Sequence, residues 1–299
     1  MRLVFRYCII QVLLSLIYIT RMKNVLIAFA LIFPATAFCQ HYYNDILDAR
    51  ITGERMKNLI QQKVKTITAT GYDARGAKTT DFNEWQEINA EKKILKITTR
   101  NGQQVRRQNY QFDSEFKLIA ITDSAGDIKS TSTYSYDKAG NIVSIKTTTK
   151  DSLQDFNETV EHQYVYNSAG KPEKLWRIVN DNDSSEYHLS LEGNKNIADE
   201  QLYRRGVGID PVYYYYDEKN RLTDIVRYNK KAKKLLPSLM FEYDEADRII
   251  QKMTILSTNN PDYLIWRYLY NEKGLKTKEA LFNKQKELTG RIEYAYTFE

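Results

Sequence analysis

Few residues in this chain are equipped for chemistry. His41, His162 and His188 are its three histidines. They stand far apart with no cysteine at ligand spacing, so satisfied or solvent-facing strand residues are expected rather than a metal site. Arg204–Asp210, read RRGVGID, places two glycines where a phosphate loop would want them, but the glycine run and Lys-Ser/Thr of that motif are missing and a hairpin loop is expected. The KKAKK run at Lys230–Lys234 reads as a solvated loop tip. Acids show no informative pairing, and neither a G-x-S-x-G elbow nor a cysteine nucleophile is present. No catalytic residue, metal or cofactor is therefore expected. Trp85, Trp176 and Trp266, with 23 tyrosines, are the remaining resource. Packing accounts for most of these rings, and ligand stacking is assigned to Trp176, Trp266, Tyr214 and Tyr268.

The elements that must carry these side chains repeat. YSYDKAGNIVSI at Tyr134–Ile145 returns as YVYNSAGKPEKL, YYYDEKNRLTDI and YLYNEKGLKTKE. Phe112, Tyr136, Tyr166, Leu191, Tyr216, Tyr243, Tyr270 and Tyr296 mark successive copies at intervals of 24 to 30 residues. Such a period indicates one supersecondary unit stacked on itself. Asp137, Asn167, Asp217, Asp244 and Asn271 follow their tyrosine directly and supply a side-chain acceptor for a tight turn. Three residues later stand Gly140, Gly170, Asn220, Asp247 and Gly274, the types that accept a left-handed backbone. Phe116 and Lys195 depart from this pattern, so their turns are expected to differ in shape. Pairs such as Tyr134/Tyr136, Tyr164/Tyr166, Tyr214/Tyr216 and Tyr268/Tyr270 sit two apart and share a strand face, which predicts an aromatic ladder.

Residues 1–39 read as a leader, an upstream extension followed by a Sec signal beginning at Met22. Two apolar runs too short to span a bilayer comfortably and an ATAFCQ cleavage region support it. Cys39 preceded by bulky Phe38 makes a poor lipidation site. Cleavage would remove four basic residues and lower the net charge from +6 to +2, so the basic pI is no evidence for nucleic acid. Cys8 leaves with the leader, so no intramolecular disulfide is expected. Residues 40–65 form an N-terminal segment with a loose helical stripe, Leu47, Ile51, Met56, Leu59, Ile60 and Val64, after an Asn44 cap, with Gly53 weakening it.

The repeats over about 105–299 resemble the YD repeat of the Rhs and teneurin-like families, Arg221-Leu222 being the closest copy to Y-x-Y-D-x-x-G-R-L. That resemblance implies a long spiralling β-sheet, and some family members bind carbohydrate or encase a toxin. The copies are too few for a large shell and no extra C-terminal domain is expected after the last repeat, so only the architecture is carried over, as in a small exported Bacteroidetes-type repeat protein. The expected fold is all-β, an antiparallel meander of tandem hairpins over 66–299 in one long twisted or spiralling sheet, with a short N-terminal helix at its open end. An outer-membrane barrel is disfavoured because LKTKEALF and RLTDIVRY carry charge on both faces. The expected function is non-enzymatic binding of glycan or protein at the cell envelope, periplasmic or secreted. Pairing through an open sheet edge is the alternative, and an enzyme acting on envelope polymers the third reading.

Overall fold

The computed structural model describes residues 41–193, 195–255 and 262–299. The expected leader, with Cys8 and Cys39, lies outside them. A π-helical turn, Tyr42–Leu47, runs into α1, Asp48–Gln61. Strands follow as β1 (Val64–Asp73), β2 (Lys78–Asn89), β3 (Ile94–Asn101), β4 (Gln104–Phe112), β5 (Leu118–Ala125) and β6 (Ile128–Tyr136). Next come β7 (Ile142–Asp151), β8 (Phe156–Tyr166), β9 (Pro172–Val179), β10 (Asp183–Glu192), β11 (Asn196–Arg204) and β12 (Val207–Tyr216). The last six are β13 (Leu222–Asn229), β14 (Lys234–Tyr243), β15 (Ile249–Ile255), β16 (Tyr263–Tyr270), β17 (Lys276–Phe282) and β18 (Leu288–Phe298).

Each strand pairs antiparallel with the next, and β18 pairs with β1, from Val64 opposite Phe298 to Asp73 opposite Gly290. The 18-stranded sheet is therefore a closed barrel, not the long open twisted or spiralling sheet that the repeats imply. The physical reason is itself periodic. A register shift falls immediately before Phe112, Tyr136, Tyr166, Leu191, Tyr216, Tyr243 and Tyr270, one for every marker residue that a turn follows. A bulge bends its strand and sharpens the local twist. Repeated at the same place in each unit, it adds up to closure.

The turns behave as their side chains dictate. Asp217 Oδ1 accepts from the backbone of Lys219 at 3.0 Å and Arg221 at 2.9 Å, while Asn220 takes φ +60°. Phe116 corrects the expectation for its turn: it adopts φ +67° and closes the same Asp-x-x-x-Lys loop, its N–H on Asp113 and the Asp113 N–H on Lys117. The Lys195 turn does differ, with Gly193 at φ +55° and Lys195 N–H on Glu192. RRGVGID forms a two-residue hairpin with Arg205 and Gly206 both at positive φ, the geometry of a twisted tight turn and not of a phosphate loop.

The second tyrosine of each pair stitches one unit to the one before. Tyr136 Oη donates to the Leu118 carbonyl at 2.7 Å, Tyr166 to Ile142 at 2.8 Å, and Tyr216 to Ile197 at 3.1 Å. Tyr243 reaches Leu222 at 2.6 Å, Tyr270 reaches Ile249 at 2.9 Å, and Tyr296 reaches Lys276 at 2.6 Å. Each acceptor lies at the start of the preceding return strand, where the bulge leaves the ladder irregular. The first ring of each pair points to the lumen, and Tyr164, Tyr214 and Phe241 are buried there.

An 18-stranded barrel is wide enough to leave a channel unless something fills it. Here the N-terminal segment does so. Tyr42 packs edge-on against Tyr214 on β12, Tyr43 lies against Phe241 on β14, and Arg55 bonds Gln86 on β2 at 2.6 Å. Met56 and Leu59 are buried on the inner side of α1. The helix spans the lumen at the short-turn end, correcting the expectation that it caps an open sheet. Gly53 allows the approach, since a Cβ there would stand 2.4 Å from the Phe116 carbonyl oxygen. Asn44 is exposed and makes no side-chain cap.

Candidate functional site

The start of this internal segment gathers the polar groups of the lumen. Glu200 on β11 is almost wholly buried, and its carboxylate accepts the backbone N–H groups of His41 at 3.3 Å and Tyr42 at 3.0 Å and the hydroxyl of Tyr214 at 3.2 Å. Helix starts leave such N–H groups without partners. Here the barrel wall provides the cap that Asn44 does not. Burial raises the Glu200 carboxyl above its usual range, against the lowering pull of the two N–H donors.

One turn on, Asp45 faces β8. His162 Nδ1 donates to Asp45 Oδ2 at 2.6 Å, and Tyr164 Oη lies 2.7 Å from the same oxygen and 3.2 Å from the His41 carbonyl. The His41 ring meets His162 edge-on at a centroid distance of 4.4 Å and Tyr187 at 4.7 Å. Burial first, then the charges of His162, Arg177 and Arg227, push the His41 imidazole down to about 3 despite the opposing Asp45, so it is neutral near pH 7. Burial alone would raise the Asp45 carboxyl, but His162, His41 and the Tyr164 hydroxyl together outweigh it and the net shift is down. The Nε2 atoms of His41 and His162 are both shut off from solvent without a hydrogen-bond partner.

Two histidines separated by more than a hundred residues thus meet, against the expectation that all three stand apart. His188 does not join them. It faces outward on β10, donates to Glu186 at 2.8 Å and stacks on Tyr203 at 3.8 Å. The cluster was missed because nothing near His162 signals it. The trace that existed was His41 and Asp45 four apart at a helix start, a spacing that puts both on one face.

The four proposed stacking residues separate. Tyr214 is buried against Tyr42 and Glu200, and Tyr268 lies under Lys276, whose Nζ is 4.6 Å from its ring centroid. Trp266 pairs with Lys252 and Leu281 on the lumen side. These three cannot form a surface platform, because alternation sends them inward. Trp176 alone of the four faces outward, 37% exposed. It stands in the row Gln163, Trp176, Glu186 and Tyr203 across β8 to β11. Glu186 also accepts from Lys174 at 3.3 Å, and Gln163 donates to Glu161 at 3.0 Å. Trp85, 42% exposed, forms a second outward ring and donates to Glu87 at 3.0 Å.

The outer wall also carries ion pairs, with Lys278 and Arg291 on Glu293 at 3.3 and 3.0 Å, beside exposed apolar side chains such as Val165, Tyr215 and Leu269. Among the described residues no helix is long and apolar enough to cross a membrane.

No family model matches this chain, and no curated protein does. Among solved structures it is similar to a Photorhabdus luminescens Tc holotoxin pore, at 12% identity and TM-score 0.33 over 73% of this chain and 12% of that one. This chain thus spans about an eighth of that toxin chain's length. A porin-like protein from Bacteroides uniformis aligns at 11% identity and TM-score 0.36, covering 79% of this chain and 97% of that one. A DUF1329 family protein from Desulfovibrio piger aligns at 10% identity and TM-score 0.22, covering 85% and 93%. Superpositions this loose leave the architecture resting on the strand pairing described above.

Proposed function

We propose that this is an exported, non-enzymatic β-barrel protein of the cell envelope, built from YD-like repeats, that binds glycan on its outer wall. The carrying observation is Trp176, which presents a flat ring on the sheet beside Gln163, Glu186, His188 and Tyr203. Sugars stack their C–H faces on such rings and need fixed donors and acceptors at the margin. Glu186 and Glu161 are both held in hydrogen bonds to neighbours, which suits a fixed acceptor better than a proton-transferring pair. The internal segment occupies the lumen, so recognition is assigned to the wall rather than to a channel. Closure removes the open sheet edge on which the assembly alternative depended. The leader-like residues 1–39 and the hydrogen-bonded, ion-paired exterior support the exported, water-facing setting.

A glycan array probed with the protein tests this reading. Binding to a defined glycan class, lost in Trp176→Ala and retained in Trp266→Ala, is the expected result. Absence of any glycan signal, or equal loss in both variants, rejects it and favours a protein ligand for the same wall.

A further inference from the structure

We infer that the lumen holds a site for one divalent transition-metal ion, bound by His41 and Asp45 from the internal segment and His162 from β8. One ligand atom of each residue lies within 4.8 Å of the other two. Two imidazole nitrogens and a carboxylate oxygen form a donor set that zinc and its neighbours accept, with a coordination position left for water. The set is built rather than incidental. His41 and Asp45 are four residues apart on the first helical turn, and that turn is anchored by Glu200 through the backbone N–H groups of His41 and Tyr42. Tyr164 Oη, 2.7 Å from Asp45 Oδ2, holds the carboxylate turned toward the histidines, the role an outer-shell partner plays at metal centres.

The second, independent observation is the pair of unsatisfied nitrogens. Buried polar atoms are nearly always bonded, because removing one from water without a partner carries a penalty. His41 Nε2 and His162 Nε2 are both shut off from solvent and both lack a partner, so the protein alone satisfies neither imidazole fully. A cation taking the place of the proton between His162 Nδ1 and Asp45 Oδ2, 2.6 Å apart, binds both of them, with a nitrogen of His41 as the third ligand. Arg177 and Arg227 approach closely enough to act on His41, and they set a limit: the ion must offset their charge through direct bonds to its ligands, which excludes a weakly held monovalent ion. A metal here joins the segment to the wall, so its effect is to lock the barrel's internal filling in place.

The test uses the full chain, stripped with a chelator and then given one equivalent of Zn²⁺ or Co²⁺. One ion retained per chain after desalting, Co²⁺ absorption bands of a nitrogen/oxygen site, and a raised Tm are expected. His162→Gln and His41→Gln should each weaken binding by at least about tenfold, while His188→Gln leaves it unchanged. If the His41 variant fails to fold, Asp45→Asn decides instead: weakened binding supports the site, and wild-type affinity and stoichiometry overturn it. Substoichiometric metal in the wild-type chain, or an equal loss in His188→Gln, overturns the inference.

Discussion

The two ends of the barrel are built from the same strands and held by different means. At the short-turn end, the tyrosine hydroxyls bond the preceding unit, the rings meet the internal segment, and nearly every lumenal residue is buried. Toward the variable loops the lumenal rows turn to small hydroxyls and charge. There Ser132 bonds Thr147 at 2.8 Å, Ser130 bonds Thr149, and Arg106 is clamped on Asp123 through Nε at 2.9 and 3.0 Å. Apolar burial and the segment thus stabilise one end, while local polar pairs finish the other. Packing that involves many neighbours is costlier to disturb than an isolated hydroxyl pair.

That contrast is broken most severely at Gly53. Gly53→Ala drives a methyl group into the Phe116 carbonyl, 2.4 Å from the Cβ position, and neither backbone can yield freely. Urea unfolding should show a loss of about 3 kcal/mol. A smaller, sharper comparison pairs Tyr243→Phe with Ser132→Ala. The first removes the 2.6 Å bond to Leu222 and should cost about 1 kcal/mol; the second, at the polar end, should cost about half that. Equal losses would show that the two ends do not differ in the way described.

The smallest effect is pH-dependent. Burial, aided by Asp45 and opposed by Lys252, pushes the Asp48 carboxyl up to about 6. A carboxyl raised in the fold favours the folded state while protonated, so its contribution is full below about pH 4 and fades as pH rises toward 6. Asp48→Asn should flatten that part of the stability profile and leave it unchanged below pH 4. Thermal unfolding of both proteins from pH 3 to 8 measures it.

The repeat, its turn chemistry and the shared face of the paired tyrosines were legible because each is written locally, in residues two to four apart; that this face turns inward, burying Tyr214, was not. Nor was closure. It is the sum of many small bends, and no single unit carries a mark that distinguishes a ring from a spiral. Charge on both faces of LKTKEALF argued against a lipid-facing barrel, and the filled barrel places Lys276 inside on Glu279 at 2.9 Å and Lys278 outside on Glu293. Gly53 read as a helix weakness, whereas it is the point of closest approach to the wall. The histidine cluster needed the segment to fold back into the lumen, a long-range event that neither His41 nor His162 announces. Phe116 shows the reverse case, a residue of the wrong type for a left-handed turn kept there because the rest of the loop and the helix above it determine the backbone.

The ring itself stands or falls on the seam between β1 and β18, where Thr66 and Thr297 face each other with hydroxyls 2.6 Å apart. Directly opposed strand residues have Cα atoms about 4.5 to 5.5 Å apart, within disulfide reach. In a chain carrying Cys8→Ser and Cys39→Ser, Thr66→Cys with Thr297→Cys should form an intramolecular disulfide in the folded monomer, seen as a peptide pair by mass spectrometry. Free thiols at both positions in the native protein under oxidising conditions would mean that the first and last strands do not meet.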